Sequence, residues 1–493
     1  MAIIDVFYEH SDSEHSGSGY RSNPPQTYTD FRAGRAGWQL LASVVVAYTF
    51  AFGPASVNGE SPFQLATFSA DVTIPLGHRC MGVLPTKSKK ILDPLLARGF
   101  VLLGSDQPIV LCAVDWCEIR NDAYEQWRRA LANAAGTTVQ RVLVSSLHQH
   151  DAPVTDLGAA KLLDEVGLTG ELYDQAFHER TIARVAAALR QCLQHATPIT
   201  HLGMGQAVVE QIASNRRVVA ADGRVNFGRG SRSGDNPFHR DAPEGLIDPF
   251  LKTISFWNGD TAVLALHAYA THPMSSYGKG QVSSDFVGLA RRRRQRDAPG
   301  IMQIYVSGCS GDVTAGKYNN GSPLHRQQLI DRLYNAMLKA WEKTERQPIE
   351  QVEFRNANLT LEFHPGADLT SESLREVLND TNRSVEKRIL AAMGLASRMR
   401  VEKRQGIDFP CVDFGCAQVV LFPGESFVGY QLMAQKMRPE SFVMSIGYGE
   451  CWPGYIPTDS TFDERFEDNW LWVAPGSEQR ILTALDKVLG QPR

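Results

Sequence analysis

The sequence lacks an excess of positive charge: 50 lysines and arginines face 54 acidic residues, for a formal net charge of −4. No global field exists to recruit a nucleic-acid backbone, so nucleic acid is not an expected partner. The eight cysteines, at positions 80, 112, 117, 192, 309, 411, 416 and 451, contain no CxxC pair and no zinc-finger spacing. They read as mostly buried small hydrophobes. Cys411 and Cys416 could be joined in an oxidising compartment, which spacing does not establish. Internal repeats and low-complexity blocks are missing too. A composition of 43% hydrophobic and 21% charged residues over 493 positions excludes disorder and fibrous architecture, and allows a core of normal size. The one basic run, Arg291 to Arg294 with Arg296, sits in a helical stretch and reads as a solvated or structural helix face.

Residues 1–37 are polar and rich in Ser, Gly, Asp and Arg, and would not pack a core. After Arg32 and Arg35 comes an apolar run, Trp38 to Gly53, followed by Pro54-Ala55-Ser56. Basic flank, apolar stretch and small-residue exit resemble a signal sequence displaced from the N-terminus. The run is shorter than the ~20 residues of a spanning helix. Cleavage, membrane association through 38–53, and an extra element docked on the domain all stay open. The expectation is a periplasmic or extracellular protein, with a cytoplasmic one as the alternative. Residues 1–64 are set apart as leader and apolar segment, and 65–493 as one catalytic domain.

From Phe68 onward, strands and helices alternate. Pro108 to Asp115 is a short apolar run, as in a strand covered on both faces. Asn121 to Ala135 carries Tyr124, Trp127, Leu131 and Ala135 at helical spacing, with Asn121 as N-cap and Gly136 as stop. Arg141 to Ser146 is a second strand, so the unit is βαβ with parallel strands. Further on, the patterns predict helix 171–195, strand 201–212, a hairpin turning at Asn258-Gly259-Asp260, helix 286–297, strand 301–307 and helix 324–343. A long strand over 351–364, a helix over 370–400 and a strand over 412–423 follow, and 222–249 is a long surface loop. The expected fold is α/β: one large domain with a mixed or parallel sheet, helices packed on it, and functional groups at strand carboxyl ends.

Four strand ends carry candidate chemistry. After strand 141–146 comes His148-Gln149-His150-Asp151; on an extended backbone both imidazoles project to one side, one able to bind a metal and the other near its water. A hydrogen-bonded histidine pair is the plain alternative. His272-Pro273 closes the run in which His267 reads as a core histidine. Ser307-Gly308-Cys309-Ser310-Gly311-Asp312 describes a tight loop whose N–H groups could face an oxyanion, or a structural turn. Glu425 follows Pro423-Gly424 at the start of a predicted helix, 426–435, and Tyr455 follows another Gly-rich turn.

Taken together, Asp71-Val72-Thr73-Ile74-Pro75 through Tyr455-Ile456-Pro457-Thr458 resembles the neutral, non-lysosomal ceramidase superfamily of zinc amidases. The resemblance implies one Zn2+ held by His148, His272, Glu425 and Tyr455, with His150 as its neighbour and Arg216 of the Asn215-Arg216 pair near the scissile carbonyl. It implies an amide hydrolase acting on a small molecule. His150, or Asp151 through it, would move the proton, Arg216 and the N–H groups of Gly308 to Gly311, Ser310 included, would face the oxyanion, and Asp285 and Asp312 would orient ligands or else play purely structural roles. Two positions depart from the family: Gly308-Cys309 stands where ceramidases place a serine and an asparagine, and Phe466 or Glu467 stands where a tyrosine is expected. The resemblance does not extend to the C-terminal β-sandwich that ceramidases append. An ester, a lactone or a carbohydrate derivative remains compatible with such a site, and so does a catalytically inactive binding protein.

Overall fold

The computed structural model describes residues 62–490; the segment 38–53 and the rest of the leader up to residue 61 lie outside the described residues. Within them no helix is long and apolar enough to cross a membrane.

Three mixed sheets form the framework. The first runs Val142–Ser146, Ile109–Val114, Leu96–Leu103, Gln64–Asp71 and Thr197–Pro198. The second runs Met302–Ser307, Thr261–Tyr269, Phe250–Asn258, His201–Val208 and Glu345–Pro348. The third runs Glu353–Leu359, Ile407–Asp413, Ala417–Leu421 and Phe442–Ile446. Each sheet is antiparallel except at one edge, where the strands 142–146, 302–307 and 442–446 each pair parallel with their neighbour. The expected mixed α/β architecture is therefore present, divided among three sheets.

Alternation along the strands builds the core between them. Ile109, Leu111 and Ala113 face one apolar cluster while Val110, Cys112 and Val114 face another. A strand buried on both faces has no polar positions to alternate with, hence the continuous apolar run in the sequence. Phe100 of the first sheet, Phe256 of the second and Phe414, in the turn after strand 407–413 of the third, meet in the shared cluster with ring centroids 5.5 and 5.7 Å apart. Helices Asn121–Ala135 and Gln175–Cys192 cover the first sheet, Asp285–Asp297 and Pro323–Glu342 the second, and Val428–Met437 and Ser477–Leu489 the third.

The βαβ unit and the 258–260 hairpin are as expected, with Gly136 in the left-handed conformation ending its helix. Arg120, and not Asn121, precedes the helix as N-cap; Asn121 is its first residue. The predicted strand 412–423 is instead a hairpin joining Ile407–Asp413 to Ala417–Leu421, because Gly415 takes φ 83° and its N–H donates to Asp413 at 2.7 Å. The predicted helix 370–400 is two, Ser371–Asn379 and Val385–Glu402, the second capped by Ser384. The predicted helix start at Ser426 moves to Val428, and Glu425–Ser426 pairs in parallel with Tyr455–Ile456. The loop 222–249 is anchored by the buried Arg229, which donates to the carbonyls of Asn215, Pro243 and Glu244. Arg291 settles the basic run as structural at that position: it forms two 2.7 Å bonds to Asp115, both side chains buried. All eight thiols are free, Cys411 and Cys416 among them.

Candidate metal centre

The carboxyl ends of the three parallel edge strands are tied to one another. Ser146 N–H donates to Tyr448 O at 2.9 Å, Gly447 N–H to Ser307 O at 2.8 Å, and the Ser307 hydroxyl to Leu147 O at 2.8 Å. The segments that leave these ends converge on one place. His148 follows strand 142–146, Ser310 follows strand 302–307, and Tyr448 follows strand 442–446. His272 follows the parallel neighbour 261–269, and Glu425 the neighbour 417–421.

His148 is not on an extended backbone, as the spacing argument assumed: it takes φ 72°, in the left-handed region. Its N–H donates to Trp116 O at 2.9 Å, and its Nδ1 lies 3.0 Å from Cys117 O. Tyr448, at φ 56°, stacks on the His148 ring at 4.3 Å and shares a 2.8 Å hydrogen bond with Ser310 Oγ. Non-glycine residues in this region cost energy and persist only where surrounding contacts fix them.

Whether a cation fits can be read from the hydrogen bonds. The His272 Nδ1 lies 2.6 Å from Ser310 O and 3.1 Å from Val313 O. Carbonyl oxygens only accept, so His148 and His272 each carry the ring proton on Nδ1 and present a lone pair at Nε2, a tautomer assigned from these bonds. Both Nε2 atoms address one carboxylate oxygen, Glu425 Oε2, at 3.2 and 2.9 Å. One donor approaches, Arg216 Nη2, at 3.3 Å from His272 Nε2. His148 Nε2 has no hydrogen-bond partner. Three buried acceptors around one point repel unless a positive charge sits among them. The ligand atoms lie within 4.8 Å of one another. The donor set, two imidazoles and a carboxylate, suits zinc and also iron or manganese.

The protonation equilibria express the same shortage of positive charge. Burial lowers the His148 pKa, but the Glu425 charge and contact outweigh it, leaving it above the ordinary value. For Glu425 burial raises the pKa, and the two histidines overcome that to hold it far below the carboxylate range. Burial, reinforced by the Arg216 charge, lowers His272 to about 4.

Tyr455 stands beside Glu425 as its partner in the short parallel pair, its ring 6.4 Å from that of His272 and 5.4 Å beneath the Arg216 guanidinium. His150 is buried, its ring 5.3 Å from His148 and 4.9 Å from Tyr277, with neither ring nitrogen hydrogen-bonded. Burial, with His148 and His272 nearby, keeps its pKa well below the usual value, so the ring is neutral. Asp151 does not touch that ring's nitrogens. Its carboxylate accepts from Gly278 N–H at 3.0 Å and holds the loop that carries Tyr277, because the chain turns between the two residues. Asp285 similarly accepts from Ser275 N–H at 3.0 Å.

Asp312 fixes two approaches to the centre. It accepts from Asn215 Nδ2 at 2.7 Å, beside Arg216, and from Val428 N–H at 2.8 Å, at the start of the helix after Glu425. Three of the four N–H groups of the loop 308–311 that were anticipated as oxyanion donors are already engaged. Gly308 N–H donates to Tyr269 O, Cys309 N–H to Gln431 Oε1 and Gly311 N–H to Ser426 O. Ser310 serves instead through its carbonyl, which orients His272. A Cβ on Gly308 would lie 2.6 Å from Gln431 Oε1, so a serine there requires the glutamine side chain to shift. Phe466 packs its ring 5.7 Å from that of Tyr455.

Sequence comparison matches the chain to no family model and to no curated protein. Comparison of structures does find similarity. A ceramidase described as complexed with C2 aligns with TM-score 0.63 at 13% identity, over 87% of this chain and 75% of that one. The neutral ceramidase from Pseudomonas aeruginosa aligns with TM-score 0.63 at 13% identity, over 88% and 76%. The fold is ceramidase-like. At that identity the likeness is one of fold. Tyr448, Tyr277 and Cys117, whose Sγ lies 3.9 Å from His148 Nδ1, were not singled out from the sequence. Tyr448 had a usable signal, a Gly-Tyr-Gly segment directly after an apolar strand.

Proposed function

We propose that the protein is a metal-dependent amide hydrolase, with one divalent ion, zinc in our reading, held by His148, His272, Glu425 and Tyr455. The observation that carries this reading is the convergence of the two histidine lone pairs on Glu425 Oε2. A bound divalent ion supplies Lewis-acid polarisation of a carbonyl and lowers the pKa of water.

The chain's own groups do the rest. His150, neutral and without a hydrogen-bond partner, is free to accept a proton from water and later give it to the leaving amine. Arg216 stays charged, because Tyr455 and Glu425 more than offset its burial, and it stands ready for a carbonyl oxygen gaining negative charge. Carbonyls of Cys117 and Ser310 fix the orientation of the ligand imidazoles, as outer partners of metal-binding histidines do. Asp312 positions Arg216 and Glu425 through the backbone. The expected reactant is a small molecule, and an exported protein, periplasmic or extracellular, is the compartment we favour.

Metal analysis of the purified protein, together with hydrolysis of simple N-acyl amides, tests the reading. One equivalent of metal, lost with activity in His272→Ala, is expected. Full activity in a chelator-treated, metal-free protein would remove it. Fractionation with N-terminal sequencing of the mature product tests export.

A further inference from the structure

Beside the donors His148, His272 and Glu425 lies a second set that shares one member with them. Cys117 Sγ, a ring nitrogen of His148 and a ring nitrogen of His150 lie within 4.8 Å of one another, and all three residues are buried. Cys117 follows the strand 109–114, the parallel neighbour of the strand that leads to His148. Its backbone is held on two sides, the N–H donating to Pro153 O at 3.0 Å and the carbonyl lying 3.0 Å from His148 Nδ1. The thiol is free, with its sulfur 3.9 Å from the same Nδ1.

His150 distinguishes this group from a cysteine that merely packs. It is 6% exposed, and the protein supplies neither of its ring nitrogens with a hydrogen bond. Burying an imidazole in that way is unfavourable unless something takes up its lone pair. Ligand atoms about 2.0–2.3 Å from an ion stand roughly 3.5 Å apart in a tetrahedron, so the group has to close by little more than about 1 Å, and by less around a larger ion. Softness separates the two donor sets. His148, His272 and Glu425 offer two imidazoles and a hard carboxylate, whereas the second set puts a thiolate in the carboxylate's place, which moves the preference towards polarisable ions such as monovalent copper or cadmium. A neutral imidazole has one lone pair, so His148 can serve one ion at a time.

We infer that Cys117, His148 and His150 form a second ion position, selective for a thiophilic ion and filled in competition with the position at His148, His272 and Glu425. On binding, the Cys117 S–H bond breaks, a sulfur–metal bond forms and the proton leaves to solvent. No electron is transferred. Such an ion takes His148 from the first position and the lone pair of His150 from the proton transfer, so a soft metal silences the centre by occupying the wrong half of it. The loss of activity rests on the hydrolase reading; ion binding through the thiolate does not.

The test titrates the reduced, metal-free full chain with Cd2+ and follows the ultraviolet thiolate-to-metal charge-transfer band, counting bound metal after the excess is removed. A saturable band that added zinc weakens is expected. Cys117→Ser should abolish the band while uptake of zinc continues, and His150→Gln should lower Cd2+ affinity at least about tenfold, the loss found even for outer partners of metal ligands. The two substitutions lie in different segments, so if one variant does not fold the other still decides. Serine at both Cys192 and Cys416, the two thiols that are not fully buried, should leave the band as it is. A folded parent without the band, a band that survives Cys117→Ser or depends on Cys192 and Cys416, or cadmium and zinc bound together without weakening one another overturns the inference. The Cys117-dependent band in a protein that takes up no zinc and hydrolyses no amide sinks the hydrolase reading and leaves the thiolate position standing. Zinc uptake with amide hydrolysis and no band does the reverse.

Discussion

Glu425→Gln separates a metal site from a buried ion pair by the sign of its effect. If Glu425 is there to neutralise a protonated His148, replacing it breaks a buried pair and destabilises the metal-free protein by about 3–5 kcal/mol. If the three acceptors are arranged for a cation, the outcome is opposite once His148 is neutral. The glutamine amide donates two hydrogens towards the Nε2 atoms now facing Oε2 at 3.2 and 2.9 Å, replacing repulsive contacts by hydrogen bonds of about 1 kcal/mol each. The metal-free variant is then expected to be more stable than the parent by about 1–2 kcal/mol, while its metal affinity falls by at least about a hundredfold. The pH must be chosen with the linkage in view. His148 is raised above its unfolded value of about 6.5 by Glu425, so the stability contributed by that pair is complete below about 6.5 and is lost as pH rises through the folded pKa. The comparison therefore runs in chelator on both sides of the folded pKa, with urea midpoints as the readout: an ion pair is there to be broken only below it, and the gain is expected above it, where His148 is neutral. A loss of stability that persists at alkaline pH would refute the metal-site argument.

His150→Gln is expected to lower turnover by about 10²–10⁴ with metal content intact, measured by metal analysis beside steady-state kinetics; equal losses of both would make His150 a ligand. Asp115→Ala leaves the buried Arg291 guanidinium unpaired and should cost about 3–5 kcal/mol in chemical denaturation, with metal affinity per folded molecule unchanged. Gly308→Ser, the reversion towards the ceramidase pattern, should cost about 1–3 kcal/mol because of Gln431, and Gln431→Ala in the same chain should recover part of it.

What could be read from the sequence is what depends on short-range pattern. The strand 109–114 and the helix 121–135 are legible because burial repeats every two or every three to four residues there. His148, His272 and Glu425, which the fold brings together, stand out because each follows an apolar run or a glycine turn. The errors have a common source in long-range partners. The 407–421 hairpin depends on a turn at Gly415 that an apolar pattern does not mark. The helix after Glu425 begins where it does because Asp312, distant in sequence, supplies the cap. The N–H groups of 308–311 looked available until Tyr269, Gln431 and Ser426 were found to accept from three of them. Local sequence names donors and acceptors, while the fold decides which of them are already engaged.

The division into three sheets explains how the three acceptors of the centre are held so close together. An edge strand presents unpaired N–H and C=O groups, which proteins usually cover or blunt. Here the three parallel edges meet at their carboxyl ends and bond to one another, Ser146 to Tyr448, Gly447 to Ser307 and Ser307 to Leu147. Those bonds stabilise the junction independently of any ligand and fix where each following residue starts. The left-handed conformations of His148 and Tyr448 then turn both chains inward within two residues of the tie. Because the backbone is fixed on three sides, the lone pairs of His148 and His272 cannot swing away from Glu425 without breaking their own carbonyl bonds. The geometry of the proposed metal site is thus set by the junction of the sheets, which makes substitutions at Ser145, whose hydroxyl donates to Gly447 O at 2.8 Å, a way to loosen metal binding without touching a ligand. Ser145→Ala should weaken metal affinity severalfold and leave the stoichiometry at one; an unchanged affinity would show that the ligands, and not the junction, hold the arrangement.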